Sequence, residues 1–272
     1  MIDLHLHTTA SDGSLSPAEL IVRAARAGLQ IVSVTDHDTT AGLGEASTAA
    51  QAAGMTLVTG IEITAVEGDQ DVHILGYFFD PADPGLSEFL RGQRADRIRR
   101  VRAIAERLRT LGCAIDVGHL VAKGEAGASV GRPHVADALV AAGHAVDRTD
   151  AFDRFIGRGR PGFVSRAGAT STEVVSVIGA AGGIASLAHP ALTGRDDLVP
   201  RLAVTGLTAL EARHSDHDSA IEAHYRCLAD RHGLAISGGS DFHGDGGHHA
   251  RALGVVTLPE KDFAALKGRI PG

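Results

Sequence analysis

The sequence predicts an α/β protein built as a (β/α) barrel or a distorted relative of one, and three observations carry that expectation. About eight short, β-branched apolar runs alternate with helical runs along the chain. Residues able to ligate metal recur within those runs or at their C-terminal ends, where α/β barrels place their chemistry. Between about residues 95 and 165, glycines and short helical stretches interrupt the alternation, which reads as a small, mainly helical insert between barrel segments 1–94 and 166–272. A doubly wound open sheet is the competing architecture.

The chain begins Ile2-Asp3-Leu4-His5-Leu6-His7, where apolar and polar residues alternate, so a strand would put Asp3, His5 and His7 on one face. Ser16, Pro17 and Glu19 then supply an N-cap, a first helical position and a first-turn acid, and Gly28 closes that helix. Residues 31–35 form a β-branched strand that runs into Asp36-His37-Asp38. A helix over about 43–53 ends at Gly54, and strand 56–64 follows with Glu62 as a lone carboxylate among apolar neighbours. Residues 72–78 make a fourth strand, carrying His73.

From about 86 to 111 the pattern is helical and rich in arginine, with an apolar stripe of Ile98, Val101, Ile104, Ala105 and Leu108. At about 100° per residue, Arg94 and Arg97 lie on the side of that stripe, Arg100 at its margin, and Arg99 and Arg107 opposite. Within the insert, 133–142 suggests a short helix and 158–162 a loop. The barrel rhythm resumes with a helix near 171–181, the breaker Gly182-Gly183, and strand 184–188 ending at His189-Pro190. Further strands are expected at 207–212, 234–237 and 253–258, and the second of these runs into Gly238-Gly239-Ser240-Asp241-Phe242-His243.

With 272 residues, 44% of them hydrophobic, the chain can bury the core of one large α/β domain and its insert. A net charge of -7 argues against long duplex DNA as a partner. The first residues lack the basic and apolar regions of a signal peptide, and no apolar run approaches the roughly 18 residues that span a bilayer, so no membrane partner and a cytoplasmic home are expected. Cys113 and Cys227 are the only cysteines, expected as buried, reduced thiols.

The chemistry concentrates in His5, His7, Asp12, His37, Glu62, His73, His189, Asp241 and His243. Buried charges are too costly to accumulate without compensation, so these residues are read together as ligands of two or three divalent ions, with Glu62 able to bridge two of them. Imidazole and carboxylate without thiolate suit Mn²⁺, Zn²⁺ or Fe²⁺. Asp36 reads as a turn or supporting residue, and His119, His144, His214, His217, His224 and His232 as surface or helix positions. His248 and His249 offer at most a contact at the rim.

In their order, these motifs resemble the polymerase and histidinol phosphatase (PHP) family of metal-dependent phosphoesterases. The matching pieces are HxH with SDG (His5, His7, Asp12), TDHD (Asp36, His37, Asp38), GIE (Glu62), HxLGY (His73 to Tyr77), AHP (His189, Pro190) and SDFH (Asp241, His243). The resemblance implies a distorted barrel of about seven β/α units and a trinuclear site. His5, His7, Glu62 and Asp241 would hold one metal, Glu62, His73 and His189 a second, and Asp12, His37 and His243 a third. Mn²⁺ stands first among the cofactors, with Zn²⁺, Fe²⁺ and Mg²⁺ as alternatives.

The arginine-rich helix and Gly131-Arg132-Pro133-His134 resemble the branch that acts on nucleoside 3′,5′-bisphosphates and on the 5′ ends of short RNA, with the insert as a substrate cap. Guanidinium forks suit a phosphate that is bound but not cleaved, which makes Arg97, Arg100, Arg132 and His134 candidate substrate-binding residues. The plainer reading is a solvated basic helix face neutralised by Glu88, Asp96 and Glu106. Asp38 and His189 are the candidate catalytic residues, Asp38 as proton donor to the leaving group with a metal-held water as the alternative. Histidinol phosphate hydrolysis, a non-catalytic nucleotide-binding regulator and carbon–nitrogen bond hydrolysis are the competing functions.

Overall fold

Strand β1 (Ile2–Leu6) is buried along its whole length, as the first strand of a barrel must be. The computed structural model describes residues 1–245 and 252–271, so His248 and His249 lie outside the described residues. Helix α1 (Pro17–Arg26) opens with a capping box: Glu19 N–H donates to the Ser16 hydroxyl, and Ser16 N–H donates to the Glu19 carboxylate. Strand β2 (Ile31–Val34), helix α2 (Leu43–Ala52), and strands β3 (Thr56–Glu67) and β4 (Gln70–Tyr77) follow.

Helix α3 (Pro84–Thr110) gives Leu86 and Leu90 to the barrel core and Ile98, Val101, Ile104 and Leu108 to a second apolar cluster. That cluster is completed by α4 (Gly118–Glu125), α5 (Arg132–Ala141), α6 (Arg148–Ala151) and a π-helical turn, Phe152–Ile156. The chain then returns through α7 (Ser171–Ala180), β5 (Ile184–Leu187), α8 (Pro190–Thr193), α9 (Leu198–Val204), β6 (Leu207–Arg213), α10 (Ser219–Arg231), β7 (Ala235–Gly238) and α11 (Glu260–Lys267).

The seven strands form one sheet in chain order, β1 to β7. It curls until the residues beyond β7 meet β1: Asp241 N–H donates to His5 O at 2.9 Å and His7 N–H to Phe242 O at 3.0 Å. A Cβ at Gly239 would lie 2.4 Å from His5 N, so only glycine permits this approach. The distortion of the barrel is the reversal of β4, which runs antiparallel to both β3 and β5. Because of that reversal His73, early in β4, pairs with Thr64, late in β3, and so reaches the barrel end where the other strands finish.

Two expectations are corrected here. Residues 253–258 form a turn, a bend and irregular chain rather than a strand. The edge of β1 opposite β2 is met at His5–His7 by residues 241–242, and Leu258 adds a single bond to it, from its N–H to Ile2 O. The thiols are not buried: Cys113 is half-exposed, and Cys227 is exposed on α10, whose buried positions are Tyr225, Leu228 and Ala229. No helix among the described residues is long and apolar enough to cross a membrane.

Candidate metal centre

Three local devices aim the site. Asp36, just past β2, accepts from Thr8 N–H at 2.8 Å, the Thr8 hydroxyl at 2.6 Å and the Ser11 hydroxyl at 2.5 Å, which fixes the loop bearing Asp12. Asp38, His189 and Asp241 all adopt positive φ, a conformation non-glycine residues hold only when the surroundings impose it. Antiparallel pairing carries Glu62 of β3 into the middle of the barrel mouth, where it is 1% exposed.

The nine candidate ligands converge there. Glu62 Oε2 lies 3.3 Å from His5 Nε2, 3.2 Å from His7 Nε2 and 3.1 Å from His37 Nδ1. Its Oε1 lies 2.7 Å from His73 Nδ1 and 3.0 Å from His189 Nε2. Asp241 Oδ1 is 3.2 Å from both His5 Nε2 and His7 Nε2. Asp12 sits 3.4 Å from His243 Nε2 and 3.8 Å from His37 Nε2. Ligand atoms of His5, His7, Glu62 and Asp241 fall in one compact group, those of His7, Asp12, His37 and His243 in another, and those of His37, Glu62 and His73 in a third.

These residues fit divalent ions on their own evidence. His5 Nε2, both ring nitrogens of His7, His37 Nδ1, His73 Nδ1 and Glu62 Oε2 are buried and make no hydrogen bond, although each faces ligating atoms of opposite character. Buried polar atoms without partners are costly, and a cation held between them would offset that cost. The titration behaviour agrees. Burial alone would lower His5, yet Glu211, Asp241 and Glu62 raise it well above its usual value. Burial likewise opposes the charge on His7, but the Asp241 and Glu62 carboxylates beside it push it up to about 10. Around His5 and His7 the carboxylates favour positive charge, whereas burial, helped by His7 and His73, lowers His37 to about 3 and keeps it a neutral donor. With nitrogen and oxygen donors alone the set suits hard or borderline metals.

Beside the ligands, a cavity of about 130 Å³ is walled by Asp12, His37, His73 and four arginines: Arg97, Arg100, Arg132 and Arg166. Arg100 and Arg132 share Asp71 Oδ2, at 3.3 and 3.1 Å, and both stack over Phe163. Burial, then the neighbouring Arg132, lower Arg100 to about 10, so it stays charged at neutral pH. The two readings of the arginine-rich helix apply to different faces of α3. Arg91 and Arg109 pair with Glu88 and Glu106 at i, i+3 on the solvent side, and exposed Arg99 pairs with the mostly buried Asp96, while Arg97 and Arg100 turn to the cavity.

Two expected site residues are engaged by other protein groups. Asp38 Oδ2 accepts from Arg97 Nε at 2.5 Å and from Arg166 at 2.7 Å, and its Oδ1 accepts from Thr64 N–H at 2.9 Å. Burial would raise its pKa, but Arg166 and Arg97 hold it well below the usual carboxylate range. Both carboxylate oxygens are taken up in this way, and Asp38 anchors Arg97 and Arg166 to the end of β3. His134 has both ring nitrogens engaged, accepting at Nδ1 from Gly131 N–H at 3.2 Å and bonding Ser11 O through Nε2 at 2.9 Å. It clasps α5 to the Asp12 loop and has no ring nitrogen left for a phosphate.

Sequence reasoning missed three residues. Arg166, 1% exposed in its side chain, follows the insert in a stretch with no periodic signal. Glu211 is a buried carboxylate in an apolar strand, the same signal that singled out Glu62. His214, read as a surface or helix position, is instead buried directly after β6 and bonds Asp241. His119 and His224 are exposed as expected.

A barrel whose mouth gathers imidazoles and carboxylates around cation-sized gaps, beside an arginine-walled cavity, defines a metal-dependent hydrolase of phosphate esters. A PHP domain pattern matches residues 3–125. The chain is 37% identical over 271 residues to the 3′,5′-nucleoside bisphosphate phosphatase of Chromobacterium violaceum, covering 95% of this chain and 94% of that protein. It is 36% identical over 261 residues to the 5′-3′ exoribonuclease Rnm of Salmonella typhimurium, covering 89% and 84%. A solved structure of a candidate metal-dependent phosphoesterase from Bifidobacterium adolescentis matches with a TM-score of 0.89 at 34% identity, over 100% of this chain and 96% of that one. The chain belongs to the PHP family and is a metal-dependent phosphoesterase.

Proposed function

We propose that the chain hydrolyses phosphate esters of nucleotides, removing the 3′-phosphate of nucleoside 3′,5′-bisphosphates or acting at the 5′-phosphorylated end of short RNA. One observation carries this reading: Arg100 and Arg132 stand in the same cavity as His37, His73 and Asp12, so a substrate reaching the ligands meets a second phosphate-binding point. The relatives' names point the same way.

His5, His7, Asp12, His37, Glu62, His73, His189, Asp241 and His243 would hold the ions, with Mn²⁺ the first to try. Bound there, the ions would supply an acidified water and neutralise charge developing on the phosphoryl oxygens. Arg100 and Arg132 bind the phosphate that is not cleaved, exchanging Asp71 for it. Asp38 holds Arg97 and Arg166 at the cavity wall, and the helical cluster beneath α3 closes the cavity as a cap over residues 95–165. A cytoplasmic setting, where thiols stay reduced, suits Cys113 and Cys227, which form no disulfide.

The test is a parallel assay of metal-loaded protein on a nucleoside 3′,5′-bisphosphate, a 5′-phosphorylated RNA oligomer and histidinol phosphate, comparing kcat/KM. Higher values on the first two are expected. In the Arg100→Ala, Arg132→Ala double variant those two should fall by at least about 100-fold, since two charged hydrogen bonds are lost, while histidinol phosphate is spared. An equal loss on all three substrates sinks the assignment of the pocket.

A further inference from the structure

Glu211 and His214 stand behind the metal centre, on its protein side. Glu211 is fully buried on β6, and its two oxygens do separate work: Oε1 bonds His5 Nδ1 at 2.9 Å, and Oε2 accepts from the backbone N–H of His189 at 2.7 Å. His214 is 2% exposed, accepts at Nδ1 from Asp216 N–H at 3.1 Å, and faces Asp241 Oδ2 with Nε2 at 3.3 Å. An imidazole that accepts at Nδ1 carries its proton on Nε2, so His214 donates to Asp241. By the same logic an ionised Glu211 can only accept, so His5 puts a proton on Nδ1 and turns an open Nε2 toward Glu62 and Asp241.

We propose that Glu211 and His214 are positioning residues for the metal centre: Glu211 fixes the ring orientation and tautomer of His5 and anchors the turn at His189, and His214 holds the carboxylate of Asp241 toward the same ion. Ligand residues on three different stretches, His5 in β1, His189 after β5 and Asp241 after β7, thus depend on two side chains from β6 and its end. The positive φ of His189 and Asp241 fits this account, because a backbone in that region needs an outside partner to hold it. Glu211, His5 and His214 also form a group close enough to ligate an ion themselves. Their donors are already spent on one another and on Asp241, which favours support over a further metal site.

The inference rests on the metal-centre reading, and the test separates the two. Mn²⁺ is titrated by isothermal calorimetry into the full metal-stripped chain, as wild type, Glu211→Gln, His214→Gln and His214→Leu, with the melting temperature of each stripped protein recorded beside it. Glutamine at 211 keeps the shape but presents an N–H as readily as an oxygen. It should weaken one class of Mn²⁺ sites by about 10- to 100-fold, the range found when partners of metal-ligating histidines are changed. His214→Leu should do the same, and His214→Gln, which can still donate to Asp241, should recover most of the affinity. A purely structural role would shift the melting temperature and leave the Mn²⁺ affinity of the folded protein alone. Wild-type affinity in both Glu211→Gln and His214→Leu overturns the proposal, and a wild-type chain that takes up no Mn²⁺ overturns the metal reading itself.

Discussion

Glu62 places one oxygen toward His5, His7 and His37 and the other toward His73 and His189, so a single side chain sets the spacing of five imidazoles. Replacing it by glutamine removes the charge without the volume. Glu62→Gln should therefore lose bound metal and lower kcat/KM by about 10³-fold or more, several kcal/mol of transition-state stabilisation. His7→Ala should behave likewise, since His7 belongs to two of the ligand groups. Metal analysis beside kinetics checks both, and full occupancy in either variant would contradict the placement. Asp71 makes the opposite kind of prediction. Its carboxylate occupies Arg100 and Arg132, and burial, outweighed by those two arginines, leaves its pKa lowered and the group ionised at neutral pH. Asp71→Asn should lower KM for a nucleoside bisphosphate several-fold, on the order of 1 kcal/mol of competition removed, and leave histidinol phosphate unchanged. A raised KM for the bisphosphate would mean Asp71 shapes the pocket rather than competes for it.

At the scale of elements, Asp38 joins four stretches: its own loop after β2, the backbone of β3 at Thr64, Arg97 of α3 and Arg166 beyond the insert. Asp38→Asn leaves two buried guanidiniums without their carboxylate and should cost about 3–5 kcal/mol at pH 7. The sign of the pH dependence follows from the depressed pKa. Relative to about 3.9 in the unfolded chain, a lowered folded value means the stabilisation is complete above about pH 4 and drains away as acid protonates the group. The stability gap between wild type and variant, measured by urea unfolding, should narrow from pH 7 to pH 2.5, and a constant gap would refute the pairing. Most elements were legible because their signals are local: the capping box of α1, the glycine ends, the stripe of α3. The reversal of β4 and the irregular chain at 253–258 were not, because each depends on how strands distant in sequence pair. The ligands were readable as polar residues recurring at strand ends. Glu211 and His214 escaped because β6 shows no motif, although a carboxylate inside an apolar strand is the same anomaly at Glu211 as at Glu62.

Across the whole molecule, the candidate ligands come from β1 and the loop after it, the end of β2, β3, β4, the end of β5 and the residues beyond β7, while β6 contributes buried Glu211 and, at its end, His214, which bond His5 and Asp241. Every strand of the barrel therefore converges on the same small volume. Ions bound there would act as cross-links between stretches far apart in sequence and would stabilise the folded state by mass action, by about 2.7 kcal/mol for each site at a hundredfold excess over its Kd. For a chain of this size, 1 kcal/mol moves the melting temperature by about 2–4 °C, so stripping one site should lower it by at least about 5 °C. Because α3 runs unbroken from the barrel core into the helical cluster, the loss should appear as a shift of one cooperative transition. Scanning calorimetry with and without chelator, followed by Mn²⁺ add-back, makes the measurement. An unchanged melting temperature would show that the barrel mouth holds itself together without ions. A transition that splits in two would show that the helical cluster unfolds on its own and that α3 transmits nothing between the two cores.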